Sequence, residues 1–476
     1  MITNTTTIRL EIEKGIRQRG HSLSSFGKLA GINRGIISGI LNGNPPKSIS
    51  IRQLDLMAEA LGHKEGWMYE YYVDECFINE KADWRRIKAF LLRCTEIGRY
   101  DCIQSVLDRL MEDLSNTISV FGLAEELYEE GKVKEAIPFY ECVIENEKHQ
   151  HSERLAISHY RVFRASISEN TEESFRAVIR FEPYKNRLPE NFMLDALLQL
   201  ANAYYLIQEW KMMEYCADEL RSLLLTVYKM SDHAKKSDIH WPTSTDRHPV
   251  VYYGQSYLIK SVALENLGKY EEAKTYILGY ADLSWFPDLD EVGLDAVEKF
   301  KVAAEANMHN MDLLMGNTNK LNEYVEFLDH HPNEILASML TIIDSANKYD
   351  LNIDHILSKF SFDPDSLINF DHGYYHKSAH IVHVFMIQYK LALYYFFKNR
   401  YVISISFIIK GIEMSIQIEN KNKILDYVSL FEQQKEYATD SQLDTYHNLI
   451  KGVNEDVQVY HKSSYGGSRS YNNHNQ

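Results

Sequence analysis

Proline is scarce in this chain, with 10 among 476 residues, and the five cysteines (Cys76, Cys94, Cys102, Cys142 and Cys216) are odd in number with no CxxC pair. Unpaired cysteines speak against a disulfide framework and a zinc site, and suit a reducing compartment. No apolar run reaches ~18 residues, the length a membrane span needs. The opening MITNTTTIRLEIEK has no apolar core of signal type, so a cytoplasmic protein is expected. Glycine-rich phosphate loops, GxSxG and other nucleophile signatures are missing too. Enzyme function and a cofactor therefore have no positive support.

What is present is the composition of an ordinary soluble protein: 45% hydrophobic, 25% charged and 12% aromatic, with 32 tyrosines. Few prolines and many Leu, Ile, Tyr, Glu and Lys favour an all-α fold. The length exceeds one compact core and implies several domains or an extended repeat array.

Charge is unevenly spread. The net value of −16 disfavours nucleic-acid binding, but residues 1–64 hold nine Lys/Arg against four Asp/Glu. The remaining 42 basic and 63 acidic residues give −21. A basic head on an acidic body is what a DNA-reading module on a separate scaffold needs, because phosphate affinity is local and electrostatic.

Short helices can be marked off in that head. Ile8, Ile12 and Ile16 line one face of a helix from Ile8 to Arg19, closed by Gly20. A second runs from about Ser24 to Ala30, capped by Ser22 or Ser24 and ended by Gly31. Asn33 caps a third through Leu41, which stops at Asn42-Gly43-Asn44-Pro45-Pro46. A fourth, Ile51 to Leu61, presents Leu54, Met57, Ala58 and Leu61 on one face.

The segment FGKLAGINRGIISGILNG resembles the helix-turn-helix of the Xre/Cro-repressor family. Leu29-Ala30 would pack the first helix of the pair, with Gly31 at the turn and Ile32 buried after it. Ile36, Ile37 and Ile40 would lie on the inner side of the second, and LDLMAEALG fits the closing helix. The resemblance implies that the second helix enters the major groove. Asn33, Arg34, Gly35 and Ser38 would then face bases, with Asn42 near the end, while Ser24, Ser25 and Lys28 hold phosphates. Serines stand where a glutamine often opens the first helix. Gly35 and Gly39 each cost ~1 kcal/mol of helix stability relative to alanine.

A repeated pattern follows: a helix, a tight turn of the form Gly-x-aromatic, and a second helix opening with acidic and small residues. Turns fall at Gly98, Gly131, Gln208, Gly268 and Asn399, with a degraded copy in HYRVFRASISENTEESFRAVI and poorer ones across 300–360. These units resemble tetratricopeptide repeats, most closely at Gly268-Lys269-Tyr270 followed by Glu272-Ala273 and Tyr276. The domains expected are a helix-turn-helix at 1–64, a linker helix at 65–84, a right-handed repeat solenoid at 85–460 and a disordered tail at 461–476. Residues 229–249 break the register as an exposed insertion.

Stacked repeats of this kind form a concave face that binds extended peptides. If Leu197, Leu200/Ala201 and Tyr204 form the packing stripe, then Leu198, Asn202 and Tyr205 form the neighbouring concave row. An asparagine amide can both donate to and accept from a peptide backbone. The same registration places Gln255, Val262 and Asn266 in the next unit, Asn310 in a weak copy, Tyr389 and Phe396 in the last, and Arg85 and Lys88 in the first. His372, His376, His380 and His383 would put three imidazoles on one helical face. No HExxH-type motif accompanies them, so concave hydrogen bonding or plain polar surface is the better reading, and no metal is expected.

A Xre-type head joined to a tetratricopeptide body resembles the RRNPP family of Gram-positive quorum-sensing regulators, with a length nearer the NprR and arbitrium-receptor (AimR) types than PlcR and Rgg. The resemblance implies a homodimer that binds double-stranded operator DNA through its heads and a short signalling peptide in the superhelix. A peptide that prefers one superhelix pitch would alter the spacing of the heads. Two alternatives stay open. The repeats would bind a protein partner such as a co-repressor or phosphorelay component, or the chain would be a scaffold with a silent head.

Overall fold

The computed structural model describes residues 7–78, 81–149, 152–168, 170–227, 245–362, 377–417 and 420–464. Residues 229–244 of the expected insertion and 465–476 of the expected tail lie outside them. Among the described residues the fold is all-α, apart from a two-residue antiparallel bridge pairing Phe77 with Ala82 and Ile78 with Lys81. None of these helices is long and apolar enough to cross a membrane. The chain divides into two compact units, Met1–Ala165 and Ser166–Gln476. That boundary falls inside the stretch read from sequence as one array.

The first unit opens with α1 (Ile8–Gln18), α2 (Leu23–Ala30), α3 (Arg34–Asn42), α4 (Ile51–Ala60) and α5 (Tyr69–Glu75). Then come α6 (Trp84–Glu96), α7 (Tyr100–Leu110), α8 (Thr117–Glu129), α9 (Val133–Asn146) and α10 (Glu153–Ser166). The linker expected as one helix over 65–84 is helical only in α5 before α6 begins. Left-handed backbone at Gly66 (φ 77°) and Met68 (φ 62°) interrupts it on one side, and the Phe77–Ala82 bridge on the other. One continuous apolar core runs from Ile8, Phe26 and Ile37 through Tyr69, Tyr72 and Phe90 to Leu127 and Val143. Glu75 stitches the segments together, taking Arg9 Nη2 at 3.1 Å while its own carbonyl accepts from Arg86 Nη1 at 2.9 Å.

The second unit contains α11 (Thr171–Phe181), α12 (Glu190–Leu206), α13 (Trp210–Val227), α14 (Pro249–Asn266), α15 (Tyr270–Leu278) and α16 (Glu291–Leu314). It continues with α17 (Leu321–His330), α18 (Ile335–Tyr349), α19 (Asp354–Lys359), α20 (Lys377–Phe397), α21 (Tyr401–Gln417), α22 (Lys421–Glu432) and α23 (Asp440–Ser464). Residues 461–464, assigned from sequence to the tail, therefore end a helix.

The predicted turns share one backbone device. Gly98, Gly131, Gln208, Gly268 and Asn399 all adopt left-handed φ between 56° and 79°. In each, the next residue's N–H reaches back five residues: Arg99 to Cys94, Lys132 to Leu127, Glu209 to Tyr204, Lys269 to Leu264 and Arg400 to Tyr395, at 2.8–2.9 Å. This is the Schellman closure, which satisfies carbonyls that a helix end would leave bare. The same closure at Gly316 and Asp350 ends α16 and α18, where sequence gave only poor copies.

Tyrosines form part of the buried packing of the second unit. Tyr252, Tyr280, Tyr324, Tyr394 and Tyr427 are fully buried. Buried phenols need partners. Tyr324 donates to Asn310 Oδ1 at 2.8 Å, and Tyr427 to the Phe385 carbonyl at 2.9 Å. Helices pack mainly on their sequence neighbours, but α20 also touches α12, so the run curls back on itself.

Candidate functional site

Two places gather the residues singled out by sequence, and each lies within one unit. The first is the surface of α2 and α3. Ser22 caps α2: its Oγ accepts from Ser25 N at 3.1 Å, and Ser25 Oγ accepts from Ser22 N at 2.9 Å. The turn brings chain segments too close for a side chain at residue 27, where a Cβ would meet the Ile32 carbonyl oxygen at 2.6 Å. Gly31, at φ 66°, completes the turn. Asn33 Oδ1 accepts from Gly35 N at 2.7 Å and starts α3. Phe26, Ala30, Ile32, Ile37 and Ile40 are buried and fix which face of α3 points outward.

The residues expected to meet DNA are divided between α2 (Ser24, Ser25 and Lys28) and the start and length of α3 (Asn33, Arg34, Gly35, Ser38 and Asn42). Ser24, Ser25, Lys28, Asn33, Arg34, Gly35 and Asn42 are exposed and Ser38 is half-buried. The hydroxyl of Ser25 and the amide oxygen of Asn33 are engaged in capping, which leaves Ser24 and the Asn33 NH2 for a ligand. Two packing expectations are corrected. Leu29 is 56% and Ile36 39% exposed. The inward sides of these short helices are already filled by Phe26 and Ala30, and by Ile37 and Ile40. A neighbour in sequence turns ~100° away.

The chain through α2 and α3 carries charge of one sign. Residues 14–54 contain seven Lys/Arg and no Asp or Glu. Lys14 and Arg17 lean on Glu11 and Glu13 of their own helix. Lys28, Arg34, Lys47 and Arg52 are exposed and form no ion pair with another described residue. Sequence reasoning missed Lys47 and Arg52. The acid-free stretch was visible in the sequence and would have pointed to the two cations.

The second place is the inward side of the curled helices in the second unit. Tyr205 Oη on α12 and His383 Nε2 on α20 lie 2.7 Å apart, with the rings edge-on at 5.9 Å. Thr341 of α18 donates to Glu265 Oε1 of α14 at 3.2 Å. Burial lifts the Glu265 carboxyl from its ordinary 4.5 to about 7, against the Thr341 hydrogen bond that lowers it. Asp344 adds to the rise and Lys390, which pairs with Asp344, opposes it. Burial, aided by the Glu265 charge, also raises the Tyr205 phenol.

The other expected peptide contacts divide. Asn202 is exposed, and Gln255 and Val262 are half-buried on α14. Asn266 is exposed, but its amide donates to the Val262 carbonyl of its own helix at 2.9 Å. Leu198 is 3% exposed and Asn310 5% exposed, so both belong to the packing and not to an open row. Almost the whole circumference of α12 is covered, and the Asn310 amide is held between Asn307 and Tyr324. Tyr389 packs edge-on to Tyr427 at 5.6 Å and Phe396 to Tyr401 at 5.8 Å.

Arg85 and Lys88 lie in the first unit, Arg85 exposed and Lys88 paired with Glu126. Of the histidine cluster, His372 and His376 fall outside the described residues, while His383 is the partner of Tyr205. No group of three metal-ligating side chains occurs among the described residues. Tyr205, Glu265, Thr341, Asp344, His383 and Lys390 thus come together from four helices, and only Tyr205 and His383 were named from sequence. The chain matches no protein-family model and no curated protein sequence.

Proposed function

We propose that this protein is a DNA-binding transcriptional regulator whose first helices form a Xre-type helix-turn-helix and whose second unit, a tetratricopeptide-like solenoid, senses a short peptide. The observation that carries the reading is the surface of α2 and α3. Four exposed cations, Lys28, Arg34, Lys47 and Arg52, form no ion pair with a described residue and lie in a stretch that holds no acidic residue. Such a surface attracts phosphates through counterion release, and the polar edge of α3 supplies groups able to hydrogen-bond to base edges.

Peptide sensing rests on the inward polar cluster of the second unit, with Asn202 beside it on α12. The Tyr205–His383 bond spans this face, so an extended peptide running along it replaces that bond with its own. A homodimer would place two heads on one operator, and a peptide that favours one curl of the helices would change their spacing.

The test is a binding measurement on the full chain with a pool of randomised double-stranded DNA, repeated with synthetic pentapeptides to decapeptides. Enrichment of a defined duplex, shifted in affinity by a peptide, supports the whole reading. Enrichment indifferent to every peptide, together with capture of a protein partner, favours the partner-binding alternative. No enrichment removes the DNA-reading function.

A further inference from the structure

Gly39 sits on the outward face of α3, in step with Gly35 and Asn42 and opposite the buried Ile37 and Ile40. A reading helix without a side chain at that point would leave a gap in its contact with a groove. The gap is filled from elsewhere. A Cβ on Gly39 would lie 2.9 Å from Lys47 Cδ, 3.3 Å from Cε and 3.4 Å from Cγ. The lysine stem therefore runs across α3 where a residue-39 side chain would stand.

Lys47 is also anchored at its backbone. Its N–H donates to the Gly39 carbonyl at 2.8 Å. Its own carbonyl accepts from Arg9 Nη2 at 3.2 Å, and Arg9 Nε donates to the Ile40 carbonyl at 3.2 Å. Arg9 is held in turn by Glu75. The stem lies on helix backbone while the ammonium, which pairs with no described carboxylate, is delivered to the outward face.

Resting on the DNA-reading function proposed above, we infer that Lys47 acts as a base-reading side chain of α3 supplied from the following loop, its ammonium donating to the O6 and N7 acceptors of a guanine in the major groove. An ammonium has three donors and no acceptor, and guanine is the base that offers two adjacent acceptors there. A base and not a phosphate is the expected partner because the stem crosses α3, the helix that the proposed reading places in the groove, at the position where a residue-39 side chain would stand. Glycine at 39 is then required because any larger residue would push the stem aside.

The test compares wild-type protein, Lys47→Met and Gly39→Ala in selection from the same randomised duplex pool. Methionine keeps an apolar stem on Gly39 and removes the charge; unchanged melting temperatures verify folding. Lys47→Met is expected to lose about tenfold in preference for guanine at one position and to keep the rest of the site. Gly39→Ala is expected to lose preference at that same position. Uniform weakening in Lys47→Met with a salt slope reduced by ~1 would mean a phosphate contact and overturn the inference. An unaltered preference in either variant would overturn it as well. Failure of the wild type to enrich any sequence would instead remove the DNA-reading function on which it rests.

Discussion

Tyr205 and His383 stand 178 positions apart in sequence, yet the phenol oxygen lies 2.7 Å from the imidazole Nε2. The bond joins α12 to α20 and marks where the curled helices of the second unit meet. Tyr205→Phe removes it while keeping the ring. The variant should lose roughly 0.5–1.5 kcal/mol of stability, the net worth of a hydrogen bond. Urea unfolding measures this; an unchanged midpoint would mean that the contact contributes nothing to holding the helices together.

Glu265 makes the second unit sensitive to pH. Its folded-state pKa, about 7, lies above the ordinary 4.5. Between these values the folded state binds more protons than the unfolded one, so stability falls as pH rises through the window. Glu265→Gln should remove that decline, being close to wild type near pH 4.5 and more stable above pH 7. Melting temperatures of both proteins across that range test it. A constant difference between them would contradict the assignment.

Asn202 is the exposed polar residue of α12 beside the Tyr205 cluster. Asn202→Ala should leave the melting temperature within a degree or two, since exposed substitutions seldom exceed ~0.5 kcal/mol. The same variant should weaken peptide binding by about 1–3 kcal/mol if the amide hydrogen-bonds to peptide backbone. Calorimetric titration that finds equal affinity would take Asn202 out of the peptide site.

The turn between α2 and α3 depends on Gly27. A Cβ there meets a backbone oxygen at 2.6 Å, and backbone cannot swing aside like a side-chain tip. Gly27→Ala should destabilise the head by about 1–3 kcal/mol, the usual cost of overpacking, and reduce DNA affinity with it. Gly98→Ala, by contrast, meets nothing within 4 Å and acts only through its φ of 71°. Comparing the two by thermal unfolding separates steric from conformational effects.

Much of the helix pairing was legible because its punctuation is local. A glycine or asparagine in left-handed conformation, followed by the N–H that closes the helix end, leaves a mark such as Gly268-Lys269-Tyr270. Gln208 does the same without a favourable residue, and its turn was read from the helix pattern on either side. Leu29 and Ile36 were misread because the family pattern assigns apolar residues to the inner side without saying how many the core of these short helices can take. Asn310 was misread because an asparagine on a helix looks the same whether it faces a ligand or a buried tyrosine. Glu265 and Lys390 stayed hidden because a charged helix residue ordinarily faces solvent. Only the return of α20 to α12 turns that face inward, and curvature of this kind is not written in any one repeat.

Arg34 opens α3 on the exposed side and pairs with no described carboxylate. Arg34→Ala should weaken binding to an enriched duplex by ~1–3 kcal/mol and relax its preference at one base. Arg52→Ala, on the flank, should weaken all duplexes alike. Equal effects on specific and random DNA for both variants would deny Arg34 a reading role.

The most direct measurement is the salt dependence of DNA binding by the intact protein, followed by fluorescence anisotropy on the enriched duplex. If Lys28 and Arg52 meet phosphates and displace counterions, while Arg34 and Lys47 read bases, the plot of log affinity against log salt should fall with a slope of about −2. Alanine at Lys28 or Arg52 should each reduce that slope by ~1. Binding that ignores salt, or no binding at low ionic strength, would contradict a DNA-reading surface on α2 and α3.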